Sequence, residues 1–189
     1  MDSPDELRLW SIQDVAALRA LDHSGVLRGS FSRVSDLSDR ETVEAYRWMS
    51  AQMVSRGIAS SVHCPVWAWC RYRGIANPRP DLRRRWHLPR GMKGVCLEIV
   101  VPSSRVLLSQ FEMWLYVMDR RTVPHGSKFN RRVKENLTYE KGSRTWQRIF
   151  DLCAGDEDYW GSLDERAIQG CLQQIKKSDI VRIVEFTAR

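Results

Sequence analysis

Hydrophobic and polar positions alternate at the start of the chain, and "ELRLW" predicts a short strand ending near Trp10. Ser11 and Asp14 then form an S-x-x-D capping box, whose side-chain oxygens satisfy free amides of a helical first turn. Val15, Leu18 and Leu21 follow at three-residue spacing, and Gly25 is placed to end that helix. After "VLRGS" and a serine-rich connection, Ser38 and Glu41 make a second capping box. It leads into a helix with Val43, Tyr46, Met49 and Met53 on one face, closed by Gly57. "VWAWCRYR" predicts a strand with Val66, Ala68, Cys70 and Tyr72 on one side and Trp67, Trp69, Arg71 and Arg73 on the other. "GVCLEIVVP", β-branched and bounded by Gly94 and Pro102, predicts another. Ser109 and Glu112 make a third capping box before Phe111, Trp114, Leu115 and Met118. Residues 120–142 predict a long basic loop or insertion, and "SRTWQRIFDL" a short amphipathic helix. "AIQGCLQQI" and "IVRIVEFTA" predict two strands around the polar turn "KKSD". No repeat or linker divides the chain, so residues 1–189 are expected to form a single α+β domain.

At 189 residues the chain can bury a sizeable core without disulfides or metals. No early segment has the pattern of an export signal, and no apolar run approaches the roughly 20 residues that span a bilayer. The five cysteines lack regular spacing and the four histidines are scattered, which argues for reduced thiols in a cytoplasmic protein without a structural zinc. The net charge of +7 is unevenly spread. "RPDLRRRWHLPRGMK", Arg79 to Lys93, carries five arginines and one lysine against a single aspartate. Arg120 to Arg148 carries nine Lys/Arg, with Glu135 and Glu140 the only acids. Clustered positive charge of this kind attracts polyanions through counterion release, or else forms a solvated, salt-bridged face. Arg83, Arg84 and Arg85, with Arg131 and Arg132, are the candidate phosphate contacts.

Four segments carry candidate chemistry. Gln13, in the turn after the first strand, and Arg28, flanked by glycine, stand where an arginine pairs with phosphate and an amide holds a ribose; a first-turn surface residue and a solvated strand end are the plain alternatives. The aromatics Trp67, Trp69 and Tyr72 suit stacking against a flat ring as well as core packing. Glu98 lies among apolar neighbours and needs an arginine partner or a cavity to face. Gln169 precedes Gly170, which permits close approach of a ligand or backbone.

Taken together, "LWSIQ", "PVWAW", "LEIVVP" with "LLSQFEMW", "WQRIFDL" and "IQG" resemble a bacterial family known as a domain of unknown function. More distantly, the opening strand, polar residue, helix and "GVLRG" resemble ADP-ribosyltransferases, especially toxins that modify nucleic acids. That likeness implies a split, strongly bent mixed sheet with flanking helices. It implies NAD as substrate and no metal, with Trp10, Gln13, Arg28, Trp67, Trp69 and Tyr72 around NAD. The late Gln-x-Glu motif of such enzymes falls on Gln169, but Cys171 stands in place of the glutamate, leaving Gln169 or Glu98 to act. The implied activity is transfer of ADP-ribose from NAD to a nucleic acid by a toxin or defence effector, with an antitoxin or chaperone as possible partner and no membrane. The rival expectation is a non-catalytic RNA- or DNA-binding module built on the same basic loops.

Overall fold

The first strand, β1 (Glu6–Asp14), pairs antiparallel along its whole length with the strand that "KGVCLEIVVP" forms, Lys93–Pro102, in a register running from Glu6 opposite Pro102 to Asp14 opposite Gly94. The computed structural model that shows this pairing describes residues 5–37, 39–124 and 143–189. Around that pair the chain forms α1 (Ala16–Ser24), β2 (Val26–Leu27), α2 (Phe31–Leu37), α3 (Arg40–Ser55) and β3 (Val66–Arg71). Then follow β4 (Lys93–Pro102), β5 (Leu107–Gln110), α4 (Phe111–Met118), α5 (Glu157–Trp160), β6 (Ile168–Leu172), β7 (Ile175–Lys176) and β8 (Ile180–Thr187). Six strands make one sheet in the order β5-β6-β3-β1-β4-β8, every pairing antiparallel, and β2 and β7 form a separate two-stranded ribbon. The protein is a mixed α+β domain with an antiparallel sheet, where a mixed sheet was expected.

Alternation along the strands divides the core between the two faces of the sheet. One face presents Leu9, Val66, Ala68, Val95, Leu97, Ile99, Val101 and Leu172, covered by Ala17 and Leu21 of α1 and by Leu27 and Ile175 of the ribbon. The other presents Leu107, Cys171 and Trp67 to α3 and α4, through Met49, Met53, Met113, Trp114 and Val117. Trp146 and Ile149, in a 3-10 helix over Trp146–Phe150, close this second core. Gly170 lets Val106 pack closely against the first face, since a Cβ there would meet Val106 Cγ1 at 2.6 Å.

Several local expectations give way to tertiary pairing. β1 continues past Trp10 because Ser11 does not cap a helix; its hydroxyl donates to the carbonyl of Trp67 across the sheet at 2.7 Å. Asp14 takes over at the helix start, accepting from the Ala16 amide at 2.7 Å. Ser38 lies outside the described residues, and the cap of α3 is Asp39, which accepts from the Thr42 amide at 2.8 Å. The serine-rich connection contains α2, and Ser109 belongs to β5 rather than to a capping box. "IQGCLQQIK" is two strands, β6 and β7, in different sheets.

Replacing Gly170 by alanine is expected to destabilise the fold by about 1–3 kcal/mol through overpacking against Val106. Thermal or urea unfolding measures the loss, and combining it with Val106→Ala is expected to restore part of it.

Candidate functional site

The pairing registers place one residue from each strand of the large sheet in a single row: Ser109, Gln169, Trp69, Trp10, Glu98 and Arg182. Directly paired residues of antiparallel strands share a face, so Trp10, Trp69, Gln169 and Glu98, far apart in sequence, stand side by side. Glu98 receives a charge-assisted hydrogen bond from Arg8, Nη1 to Oε1 at 2.6 Å. Ser109 and Gln169 are buried, as is Trp10. The Ser109 hydroxyl, the Gln169 Nε2 and the Trp10 indole Nε1 have no hydrogen-bond partner among the described residues. Buried donors in that state are unusual, and Trp67 and Trp160 on the helical side share it.

The other candidates separate from this row. Gln13 shares its face with Leu9 and Ser11, and its side-chain amide donates to the Ser11 hydroxyl at 2.9 Å, on the opposite side of the sheet from Trp10. Arg28 is exposed just beyond β2, on the ribbon that covers that opposite face. Trp67 packs into the helical core, 4.8 Å from Trp114 and 5.5 Å from Tyr46 between ring centroids. Burial pushes the Tyr46 phenol up to about 12, so it remains protonated. The Cys64 and Cys96 thiols are likewise pushed up by burial, to about 11, and Cys171 goes well above its ordinary value for the same reason. None of these three offers a thiolate nucleophile at neutral pH. Tyr72 departs from the expected alternation: the pairing register shifts between Trp69 and Arg71, and its ring stands edge-on to Trp69 at 5.0 Å.

Tyr72 also begins the second group of candidates. The connection from β3 to β4 lies on the same face as the row, where the His87 ring approaches Tyr72 at 5.5 Å and Phe186 at 6.4 Å. Its first turn is closed by hydrogen bonds from the Tyr72 amide to Pro78 O and from the Arg73 amide to Asn77 O. Gly74, at φ 75°, sits against the Asp164 carbonyl where a Cβ would collide. Further along, Arg83 donates to both Asp81 oxygens, from Nε at 2.8 Å and Nη2 at 3.0 Å. Hydrogen bonds from the Arg83 side chain and amide hold the Asp81 carboxyl down at about 2. A depressed carboxylate keeps its contribution above its ordinary value near 4, so this clasp is present at neutral pH and is lost only as the pH falls toward 2.

Arg83, Arg84 and Arg85 line a hollow of about 440 Å³ with Tyr72, Arg73 and Trp86. Arg85, Trp86, Arg90 and Arg189 line a second, of about 490 Å³, with His87, Leu88 and Pro89. Arg131 and Arg132 lie outside the described residues. Trp86 was not among the sequence candidates; the one local signal for it is a tryptophan directly after three arginines with no hydrophobic periodicity around it. Among the described residues no group of three or more His, Cys, Asp or Glu is arranged to hold a metal ion, and no helix is long and apolar enough to cross a membrane.

The architecture is that of a small antiparallel α+β domain with an arginine-rich crossover loop on one sheet face. Residues 8–144 match a family described as a domain of unknown function, DUF3841, and the chain belongs to that family. No curated protein and no solved structure matches it.

The unpartnered Gln169 amide gives a direct test of whether the row holds something. If it is unsatisfied in solution, Gln169→Met is expected to change stability by less than about 1.5 kcal/mol, as volume-conserving core changes do. A loss above about 3 kcal/mol in the same unfolding measurement would show that the amide has a buried partner.

Proposed function

We propose that this protein binds nucleic acid through the crossover loop between β3 and β4. The observation that carries the reading is the hollow lined by Arg83, Arg84, Arg85, Arg73 and Tyr72, which gathers guanidinium groups beside aromatic rings. Guanidinium forks suit phosphate oxygens, and their contacts fix a polyanion without reading its sequence. Arg84 lies 3.8 Å from Asp81, and Arg85 makes no ion pair among the described residues. Arg83 is partly neutralised by its clasp to Asp81, which makes it a brace for the loop as much as a phosphate contact.

Charge reversal of Arg83, Arg84 and Arg85 together is expected to weaken binding to RNA and DNA. It should also reduce the slope of log affinity against log salt by about one unit per lost contact. Arg85→Ala is expected to cost more affinity than Arg83→Ala. Unchanged binding and salt dependence in the triple variant would make the loop a solvated face.

A second reading is favoured by the row across the sheet: transfer of ADP-ribose from NAD to a nucleic acid, as a toxin or defence effector whose partner is an antitoxin or chaperone. In it Glu98 stabilises the positive charge that develops as nicotinamide leaves, Gln169 orients the ribose, and Trp10 and Trp69 flank these two side chains in the row. The sheet would then be the bent, split sheet of that enzyme class. Incubation with labelled NAD and separate pools of RNA, DNA and protein decides it. Transfer abolished by Glu98→Gln or Gln169→Ala, with the fold retained, would establish the enzyme; absence of transfer leaves the binding module.

A further inference from the structure

Trp86 is 95% exposed, although large aromatic side chains are ordinarily well buried. Its backbone lies at φ 86°, a region that a bulky L residue rarely adopts. A conformation of that kind persists only where the surroundings impose it, and such strain concentrates at functional positions. The surroundings here are specific. On one side, the Arg84 amide donates to Asp81 O at 3.0 Å and Asp81 grips the Arg83 guanidinium. On the other, His87 Nε2 hydrogen-bonds to Asp81 O at 3.0 Å, and Leu88 packs over Gly94 and Phe186. The chain before Trp86, at Arg83 and Arg84, is thus braced by Asp81, and the chain after it, at His87 and Leu88, is held by Asp81 and the sheet, while the indole is left in solvent.

Trp86 also lines both hollows. At about 440 and about 490 Å³ both fall within the range of ligand-sized clefts. Their other walls are cationic: Arg73 and Arg83 to Arg85 on one side, Arg85, Arg90 and Arg189 on the other. A flat, solvent-facing ring flanked by guanidiniums suits a partner with exposed flat rings joined by negative charges. Bases of a duplex already stack on one another and would have to be flipped out to reach the ring. Unpaired bases meet it directly, and base–aromatic stacking tolerates any sequence.

We propose that Trp86 is a stacking platform for an unpaired base and that the nucleic acid held by this loop is single-stranded. The inference rests on the nucleic-acid reading above, and it adds the strandedness of the ligand and the residue that selects it.

Fluorescence anisotropy with a labelled single-stranded RNA and DNA of mixed sequence, and with the corresponding duplexes, tests both levels. Trp86→Ala is expected to lower single-strand affinity by roughly five- to a hundredfold, as loss of one stacked base does, and duplex affinity by less than about twofold. Trp86→Phe is expected to recover most of the single-strand affinity. Because Gly relieves a positive φ, Trp86→Gly is expected to raise the melting temperature while losing single-strand binding, which separates a folding defect from a lost contact. Equal losses for both strand types, or none, would overturn the stacking role while leaving nucleic-acid binding in place. Failure of the unaltered protein to bind any of the four probes would overturn the nucleic-acid reading itself.

Discussion

The position of β1 between β3 and β4, antiparallel to both, is the constraint from which the rest of the surface follows. Two strands antiparallel to the same neighbour run parallel to each other. The chain leaving β3 at Arg71 therefore finishes near Arg8 and must travel back to the Asp14 end before β4 can begin at Lys93. A tight hairpin cannot make that return; parallel strands need a crossover of a dozen or more residues. The chain meets the requirement with the arginine-rich stretch, laid over the face of the sheet and fastened at its far end by hydrogen bonds from the Gly91 amide to Ala188 O and from the Ala188 amide to Met92 O. Strand order thus requires a long connection here, in which Leu88 lies against the sheet at Gly94 while Arg83, Arg84 and Arg85 are exposed.

The same face is shared between two kinds of cover. Over β5, β6 and β3 the helices α3 and α4 build a dry aromatic and methionine core. Over β1 and β4 the cover is loop, polar and charged, and the row from Ser109 to Arg182 crosses the boundary between them. Trp69 marks that boundary, with Phe111 of α4 at 4.8 Å on one side and Tyr72 of the loop at 5.0 Å on the other. A packed boundary of this kind couples the loop's position to the aromatic core. The geometry explains how the residues singled out for chemistry and those singled out for charge come to lie on one side of the molecule.

Much of the frame was legible in the sequence because its signals are local. The apolar run from Val95 to Val101 formed the long strand, and the face of Val43, Tyr46, Met49 and Met53 formed α3, with Met49 and Met53 buried. What was not legible depends on pairing. "LLSQ" carries little β-branched character and precedes a genuine helix start, yet the pairing of Ser109 with Gln169 draws it into the sheet as β5. Strand parity also decided the fate of Gln13: β1 runs on through Asp14, which turns Gln13 to the face away from Trp10. The in-register meeting of Trp10, Trp69, Gln169 and Glu98 depends on long-range pairing, and no spacing in the chain encodes it. Trp86 escaped notice for a simpler reason. Tryptophan is ordinarily counted toward the core, and only the fold reveals the one that the loop holds out.

The proposed seat of the nucleic acid is the crossover loop. Ultraviolet cross-linking of a bound single-stranded RNA, followed by mass spectrometric mapping of the attached peptides, tests it most directly. Cross-links are expected on the peptides containing Tyr72 and Trp86. Cross-links confined to the opposite face, on α1 or on the ribbon of β2 and β7, would contradict it.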